Sequence, residues 1–366
     1  MRKGWEYKKL GDCTQILDSQ RKPVTKRDRK SGIYPYYGAT GIQDYVDKYI
    51  FDGRYVLVGE DGAKWSSFTQ SAFIIEGKTW VNNHAHVLRT NDFLVDSFLV
   101  YFLNYSDLDS YISGAIIRKL TQASLRNIDI PLPPLSTQLA IVSELDKINE
   151  LIRLKKEQLK DFDNLAQSLF YEMFGDPVEN EKGWEVETVQ NSCTLKSGDS
   201  KANNSKVGTL PYIKVGDMNL PENENYINIS TNYVDKKTNI KRIFPIGTII
   251  FPKRGGAILT NKKRLTNVEI CCDLNIMGVT PGNMLNKYYL FQYFKILDLS
   301  TICSGSTVLQ LNNCDINPLR IPLPPLSLQH LFAQRIEQIE REKSEVQKSI
   351  QDLETLLASR MQYWFE

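Results

Sequence analysis

The chain has 366 residues, 42% of them apolar and 24% charged, with a formal net charge of +2. That length predicts two or three domains, each able to bury its own core. No apolar stretch is long enough to cross a bilayer, no charged-then-apolar leader is present, and the six cysteines form no C-x-x-C pair; the sequence therefore predicts a soluble protein of a reducing compartment, the cytoplasm, with no membrane partner.

Read in chain order, residues 1–134 open with Gly4-Trp5-Glu6 and pass through a basic cluster from Arg21 to Lys30. Short β-type runs punctuated by glycine follow at Tyr55–Val58 and Ala72–Ile75, then a helix around Phe98–Leu103 and a loop at Gly114–Lys119. A proline turn, Ile130-Pro131-Leu132-Pro133-Pro134-Leu135-Ser136-Thr137-Gln138, ends this segment. Residues 135–174 then contain no glycine or proline and read as one long helix, with Ser136 as its N-cap and Gly175-Asp176-Pro177 as its stop. Gly183-Trp184-Glu185 restarts the pattern. Strands at Thr248–Phe251 and Ile270–Cys272, a helix at Tyr288–Phe294 and a loop at Gly305–Gln310 lead into a second proline turn, Ile321–Gln329, and a second long helix to the chain end.

The two proline turns differ at one of nine positions and lie 191 residues apart, whereas the two Gly-Trp-Glu tripeptides lie 179 apart. The chain is thus an internal duplication whose halves have diverged between fixed markers. Such a protein suits a target that is nearly twofold without being identical on its two sides, and duplex DNA of asymmetric sequence is one. The charge agrees: residues 1–134 carry +3 and 179–325 carry +4, against −3 for 135–178 and −2 for 326–366. Positive charge sits in the globular segments, where a phosphate backbone would meet it.

Both long helices repeat apolar residues at alternating steps of four and three. The first seam runs Ile141, Leu145, Ile148, Ile152, Lys155, Leu159, Phe162, Ala166, Leu169, Met173, and the second Phe332, Ile336, Ile339, Lys343, Val346, Ile350, Leu353, Leu357, Arg360, Trp364. This 3.5-residue period predicts a coiled coil. The roughly 150 residues between the helices let the second return antiparallel to the first. A helix of about 34 residues spans on the order of 50 Å, so the pair is expected to act as a spacer, with Tyr171, Phe174, Trp364 and Phe365 near its ends serving a partner. A seam lysine in each helix, Lys155 and Lys343, either fixes register or extends its ammonium out of the seam.

Strings spread over nearly the whole length carry a family resemblance: Tyr34-Pro35-Tyr36-Tyr37-Gly38-Ala39-Thr40-Gly41, Gly59-Glu60-Asp61-Gly62-Ala63, Val81-Asn82-Asn83-His84-Ala85-His86-Val87, Pro211–Asp217, Lys253-Arg254-Gly255-Gly256-Ala257 and both proline turns. In this order, in a duplicated frame, the chain resembles the specificity subunit of type I restriction-modification systems. The resemblance implies an α/β (α+β) fold of two pseudo-twofold-related target recognition domains, residues 1–134 and 179–325, joined by a long antiparallel two-helix coiled coil, residues 135–178 and 326–366. It implies a non-catalytic module that binds double-stranded DNA and docks two methyltransferase subunits and the restriction/translocase subunits. S-adenosylmethionine, ATP and Mg²⁺ are then expected on the partner subunits only. The Gly-Ala-Thr-Gly string occurs in the first half alone, so the halves should read different sequences.

The residues themselves offer little catalytic chemistry. The Pro-Pro steps have leucine on both sides instead of the amide or carboxylate and the aromatic that an adenine methyltransferase uses to hold its base, and there is no phosphate-cradling glycine loop. Asp61 with Glu76-Gly77-Lys78 is the one nuclease-like string, and a stand-alone metal-dependent nuclease is the rival reading, with a non-specific coiled-coil DNA adaptor as a third. His84 and His86, which alternation along a strand would turn to one face, lack a third metal ligand nearby. For DNA contact, Lys, Arg and His beside glycines or amides select Arg21, Lys22, Lys26, Arg27, Lys64, His84, Arg118 and Lys119 in the first half. In the second they select Lys214, Lys253, Arg254, Lys262, Lys263, Asn275 and Gln310, the last two as amides suited to adenine.

Overall fold

A computed structural model describes residues 5–199, 208–235, 242–305 and 308–366. Gly4 and the Ser306-Thr307 pair of the second loop lie outside them. The chain divides into two compact units, Met1–Glu157 with Gln347–Glu366, and Gln158–Val346. The helices therefore do not stand apart as separate segments: each is shared, because its apolar seam merges at either end with a unit's core.

In the first unit, β1 (Glu6–Lys9), α1 (Leu10–Cys13), β2 (Thr14–Ile16), β3 (Ser31–Gly38), β4 (Gly41–Val46), β5 (Phe51–Gly59), β6 (Ala72–Val81) and β7 (Ala85–Thr90) precede helix α2 (Asp96–Tyr105). The hairpin β8 (Ile112–Ser113) and β9 (Lys119–Leu120), α3 (Gln122–Arg126) and β10 (Asp129–Leu132) follow, then α4 (Leu135–Phe174). The main sheet runs β2-β7-β5-β6-β3-β4, antiparallel except where β3 meets β6. Strand β5 alternates as the pleat requires: Val56 and Val58 join the core under α2, whereas Tyr55 and Leu57 face a second cluster with Ile75 and Val87. With both faces covered, the strand reads as one apolar run.

The second unit repeats the plan with β11 (Glu185–Thr188), α5 (Val189–Ser192), β12 (Cys193–Ser197), β13 (Leu210–Ile213), β14 (Tyr226–Ile227), β15 (Tyr233–Val234), β16 (Ile249–Pro252), β17 (Arg264–Thr266), β18 (Cys271–Cys272), β19 (Ile276–Pro281), α6 (Lys287–Ile296), α7 (Asn313–Ile316), β20 (Arg320–Leu323) and α8 (Leu326–Phe365). Its sheet order, β12-β19-β16-β17-β14, matches β2-β7-β5-β6-β3 down to the single parallel pair. A small sheet, β15-β13-β18, is added.

The two kinds of sequence marker turn out to be strand partners. Glu6 pairs with Leu132 and Tyr7 with Pro131 in the first unit; Glu185 pairs with Leu323 and Val186 with Pro322 in the second. Each two-stranded ladder tolerates its proline because the outer edge needs no donor. The last residue of the repeated turn is the other half of the device. Gln138, 1% exposed, accepts from the Val95 amide at 2.9 Å and donates to the Phe93 and Pro133 carbonyls at 2.9 and 3.0 Å. Gln329 does the same with Asn286, Met284 and Pro324. One buried side chain thus ties the proline turn, the helix start and the loop before α2 or α6 together.

Helix α4 begins at Leu135, so Ser136 lies inside the first turn; the Pro134 carbonyl accepts from Thr137 and Gln138 instead. Its stop is as read: Gly175 adopts φ +77° and donates to the Tyr171 carbonyl at 2.8 Å, while Lys182 donates to the carbonyls of Glu172 and Met173. Within each unit the two helices run antiparallel. Arg360 pairs with Glu144 and Lys156 with Glu354 in the first unit, and Asp163 with Lys343 at 2.7 Å in the second. The seam lysine Lys343 is thus met by a carboxylate of the opposing helix. Toward the helix ends the seam departs from a strict heptad, burying Phe170, Phe174 and Met361 in place of Met173 and Arg360, because there the helices face domain cores as well as each other. Phe174 packs against Phe332 and Tyr289, and Phe365 against Phe98, Phe102 and Tyr105. These aromatics, expected from the sequence to serve a partner, close their own units. Among the described residues no helix is long and apolar enough to cross a membrane.

Candidate nucleic-acid interface

At the end of β5 the chain makes a turn, Glu60-Asp61-Gly62, in which Gly62 takes φ +70°. The Glu60 amide donates to the His84 carbonyl at 2.8 Å and its carbonyl accepts from Leu120, so the β6–β7 turn and the β8–β9 hairpin meet here. Four of the sequence-selected residues converge on this point. The Arg21 guanidinium donates to Glu60 Oε2 at 2.5 Å and to the Ala85 carbonyl at 2.8 Å. Lys119 Nζ lies 2.7 Å from Glu60 Oε1, His84 Nδ1 lies 2.5 Å from Asp61 Oδ1, and Arg118 follows on the same hairpin, paired with Asp109 at 2.8 Å. Lys64 is exposed just beyond the turn. Lys22, Lys26 and Arg27 are exposed on the segment whose Lys22 amide donates to Val81, the residue that ends β6.

The two histidines part company. His84 lies before β7 and is exposed, whereas His86 is inside the strand and fully buried, with Nδ1 2.6 Å from Asp18 Oδ2 and Nε2 2.8 Å from the Leu120 carbonyl. Asp18, Glu60 and His86 bring their ligand atoms within 4.8 Å of one another, a spacing compatible with a cation. Their atoms are already engaged, however, and Arg21 and Lys119 supply positive charge that a divalent ion would have to displace. Burial opposes ionisation of Asp18 and Glu60, but the hydrogen bond from His86 to the first, and those from Lys119 and Arg21 to the second, outweigh it and hold both carboxyls below their usual range. The Lys119 ammonium is correspondingly raised, chiefly by its bond to Glu60. Glu76 takes no part. It sits opposite Arg54 on β5 and pairs with it, five residues or about 17 Å of strand before Gly59. The nuclease-like string is therefore not assembled.

The second unit builds the same junction. Lys253 donates from its backbone to the Asn275 carbonyl at 2.8 Å and accepts from Leu311, Arg254 bridges to Gln310, and Gly255 has φ +70°. The loops from Gly114 and Gly305 are equivalent hairpins: Ser113 pairs with Lys119 and Ser304 with Gln310, and both glycines have left-handed φ, +93° and +100°. Any Cβ at either would strike the carbonyl three residues on, at 2.1 and 2.4 Å. Lys253 Nζ donates to Ser197 Oγ at 2.9 Å, and its ammonium is lowered by burial and by the neighbouring Arg254 and Arg242. Lys214 follows β13 directly, with its backbone amide held by Asp217 and its ammonium over the Tyr212 ring. Lys262 lies elsewhere, bonded to Asn219.

Lys263 does not belong with these. It is 4% exposed and donates to Asn261 Oδ1 and the Leu297 carbonyl, so it caps interior acceptors and cannot reach a duplex. Burial pushes its ammonium down to about 8. Since the unfolded chain holds this proton up to about 10.4, the folded state gains stability as pH rises from the lower value to the higher. The second unit is expected to gain on the order of 3 kcal/mol across that window, and Lys263→Met to flatten the rise in urea titrations; an unchanged slope in the variant would contradict the assignment. Sequence reasoning also missed Asp18, Glu60 and Arg242. No sequence pattern marks a carboxylate for a surface that faces phosphate, and only the sheet brings Asp18 to residues 60 and 86.

Residues 2–161 and 181–355 match the family described as type I restriction modification DNA specificity domain, one match in each half. A putative type I restriction enzyme specificity subunit of Haemophilus influenzae is 29% identical over 92% of this chain and 87% of its own length. The MjaIX specificity subunit of Methanocaldococcus jannaschii is 22% identical over 90% and 85%. Among solved structures, the type I S subunit from M. genitalium superposes with a TM-score of 0.58 at 13% identity, covering 99% of this chain and 96% of that one. A chain from a structure on assembly and conformational transition of the type I R-M system gives 0.60 at 19%, covering 100% and 98%.

Proposed function

The chain belongs to the type I restriction-modification DNA specificity family, and from that premise we propose that it reads a bipartite, asymmetric duplex sequence, one half with each unit. It presents adenines in that sequence to two N6-adenine methyltransferase subunits, and restriction/translocase subunits join the same assembly in the cytoplasm. Methyl donor, ATP and Mg²⁺ belong to those partners; this chain supplies selection and no catalytic group.

The observation that carries the reading is the repeated frame with unlike tips. The strand order, the clasping ladder and the left-handed glycine turn recur, while the side chains on the turn differ between units. Specificity for two different half-sites needs a common scaffold with variable base-facing groups.

Co-expression with the cognate methyltransferase, followed by genome-wide mapping of N6-methyladenine, tests it. One bipartite motif with two dissimilar halves is expected, vanishing when this chain is omitted. Methylation that persists without the chain, or a motif of a single block, would sink the proposal.

A further inference from the structure

The two tip turns occupy the same place and carry opposite chemistry. Backbone bonds define the equivalence: Glu60 to His84 and Leu120 in one unit, Lys253 to Asn275 and Leu311 in the other. The residue after each is bridged to the equivalent hairpin, Asp61 to Lys119 and Arg254 to Gln310. Each is followed by a glycine at φ +70°, and a Cβ added to either glycine would meet nothing within 4 Å, so the turn projects into open space. Asp61 and Arg254 are therefore the same structural residue, with the charge reversed.

The environments are reversed with them. Asp61 keeps a carboxylate at the surface, steadied at 2.5 Å by the exposed His84 ring. Arg254 is exposed, has no carboxylate partner among the described residues, and shares its corner with Lys253 and Arg242. A carboxylate on a surface otherwise lined by lysine and arginine is repelled by phosphate. It gains from a duplex only by reaching a base edge that offers a hydrogen, the amino group of cytosine or adenine. An arginine at the same height can grip the two acceptors of guanine, O6 and N7, in a bidentate bond.

We propose that the glycine turn is the base-reading tip of each unit, and that the units read with opposite polarity: Asp61 accepts from an exocyclic amino group in one half-site, and Arg254 donates to guanine in the other. This rests on the reading of the chain as a DNA specificity subunit and adds which residues select. His84 is a positioning residue that orients the Asp61 carboxylate.

The test is methylation mapping with the intact methyltransferase complex carrying Asp61→Asn or Arg254→Gln. Each variant is expected to change one position in one half-site, with discrimination there falling about tenfold to a hundredfold, and to leave the other half untouched. Both amides favour adenine, so the relaxed position should drift toward it. His84→Gln should blur the Asp61 position alone. If a variant methylates nothing, the purified complex is titrated with duplexes substituted at each motif position, and Asp61→Glu and Arg254→Lys are mapped beside it. A wild-type bipartite motif with variants that lower methylation uniformly and leave every position intact would mark these residues as backbone contacts and overturn the inference. A wild-type complex that writes no bipartite motif would instead defeat the underlying reading of the chain.

Discussion

Removing residues 351–366 is expected to unfold the first unit and leave the second folded. The deleted segment carries Leu357, Met361, Trp364 and Phe365 out of a core otherwise built from residues 5–145. It also takes away Arg360 and the Trp364 indole, both of which bind Glu144, and strips the seam from Ile141, Leu145, Ile148 and Ile152. Losing a large buried side chain costs roughly 2–5 kcal/mol. Met361 is buried and the other three are partly buried, so together they cost about 5–10 kcal/mol, comparable to the whole stability of a typical domain. Hydrogen exchange reads the outcome by segment: amides of α2 and β5–β7 should lose protection, whereas those of β16, β19 and α6 keep theirs. Full protection of α2 in the truncated chain would show that the C-terminal helix end is dispensable to that core.

Replacing Gln138 by leucine should produce the next largest effect. The side chain is nearly isosteric with leucine, so packing volume is roughly kept, but three hydrogen bonds disappear. The Val95 amide and the Phe93 and Pro133 carbonyls are left without that partner. At roughly 1–3 kcal/mol for each buried group left unsatisfied, the loss over three groups is about 3–9 kcal/mol. Gln329→Leu should cost the second unit a similar amount through Asn286, Met284 and Pro324. Chemical denaturation followed by segment-resolved exchange distinguishes the two, because each variant should loosen only its own unit, beginning at residues 93–96 or 284–287. A change below about 1 kcal/mol in both variants would mean that the repeated glutamine does not hold the helix to the domain.

Much of the architecture could be read from the amino acids in order. The duplication, the two long helices, their antiparallel seam and the helices ahead of each proline turn follow from features written along the chain itself: period, glycine and proline placement, a repeated string, and the length of sequence between the helices. Identity at Gln138 and Gln329 was visible as part of that string, though its reason was not, since two of the three groups each binds lie 43 to 45 residues back.

Charge was another matter. Composition and clustering put positive residues in the globular segments, yet Arg21 and Lys119 spend their charge on Glu60, and Lys263 turns inward. Which lysine faces solvent depends on strand register and on what the sheet brings opposite it. A shift of one residue would exchange the two faces of a strand.

Helix period, turn residues and repetition were thus enough to establish a duplicated α/β chain with paired helices and unlike halves, because each of those signals is local or self-referential. The partnership of the strands that begin at Glu6 and Glu185 with the proline turns, and the equivalence of Asp61 and Arg254 at the tips, emerged from the folded chain alone. Those relations join residues from 22 positions apart, Lys253 with Asn275, to 138 apart, Glu185 with Leu323, through sheet hydrogen bonds. No spacing rule along the chain encodes which side chain a β-sheet will set beside another.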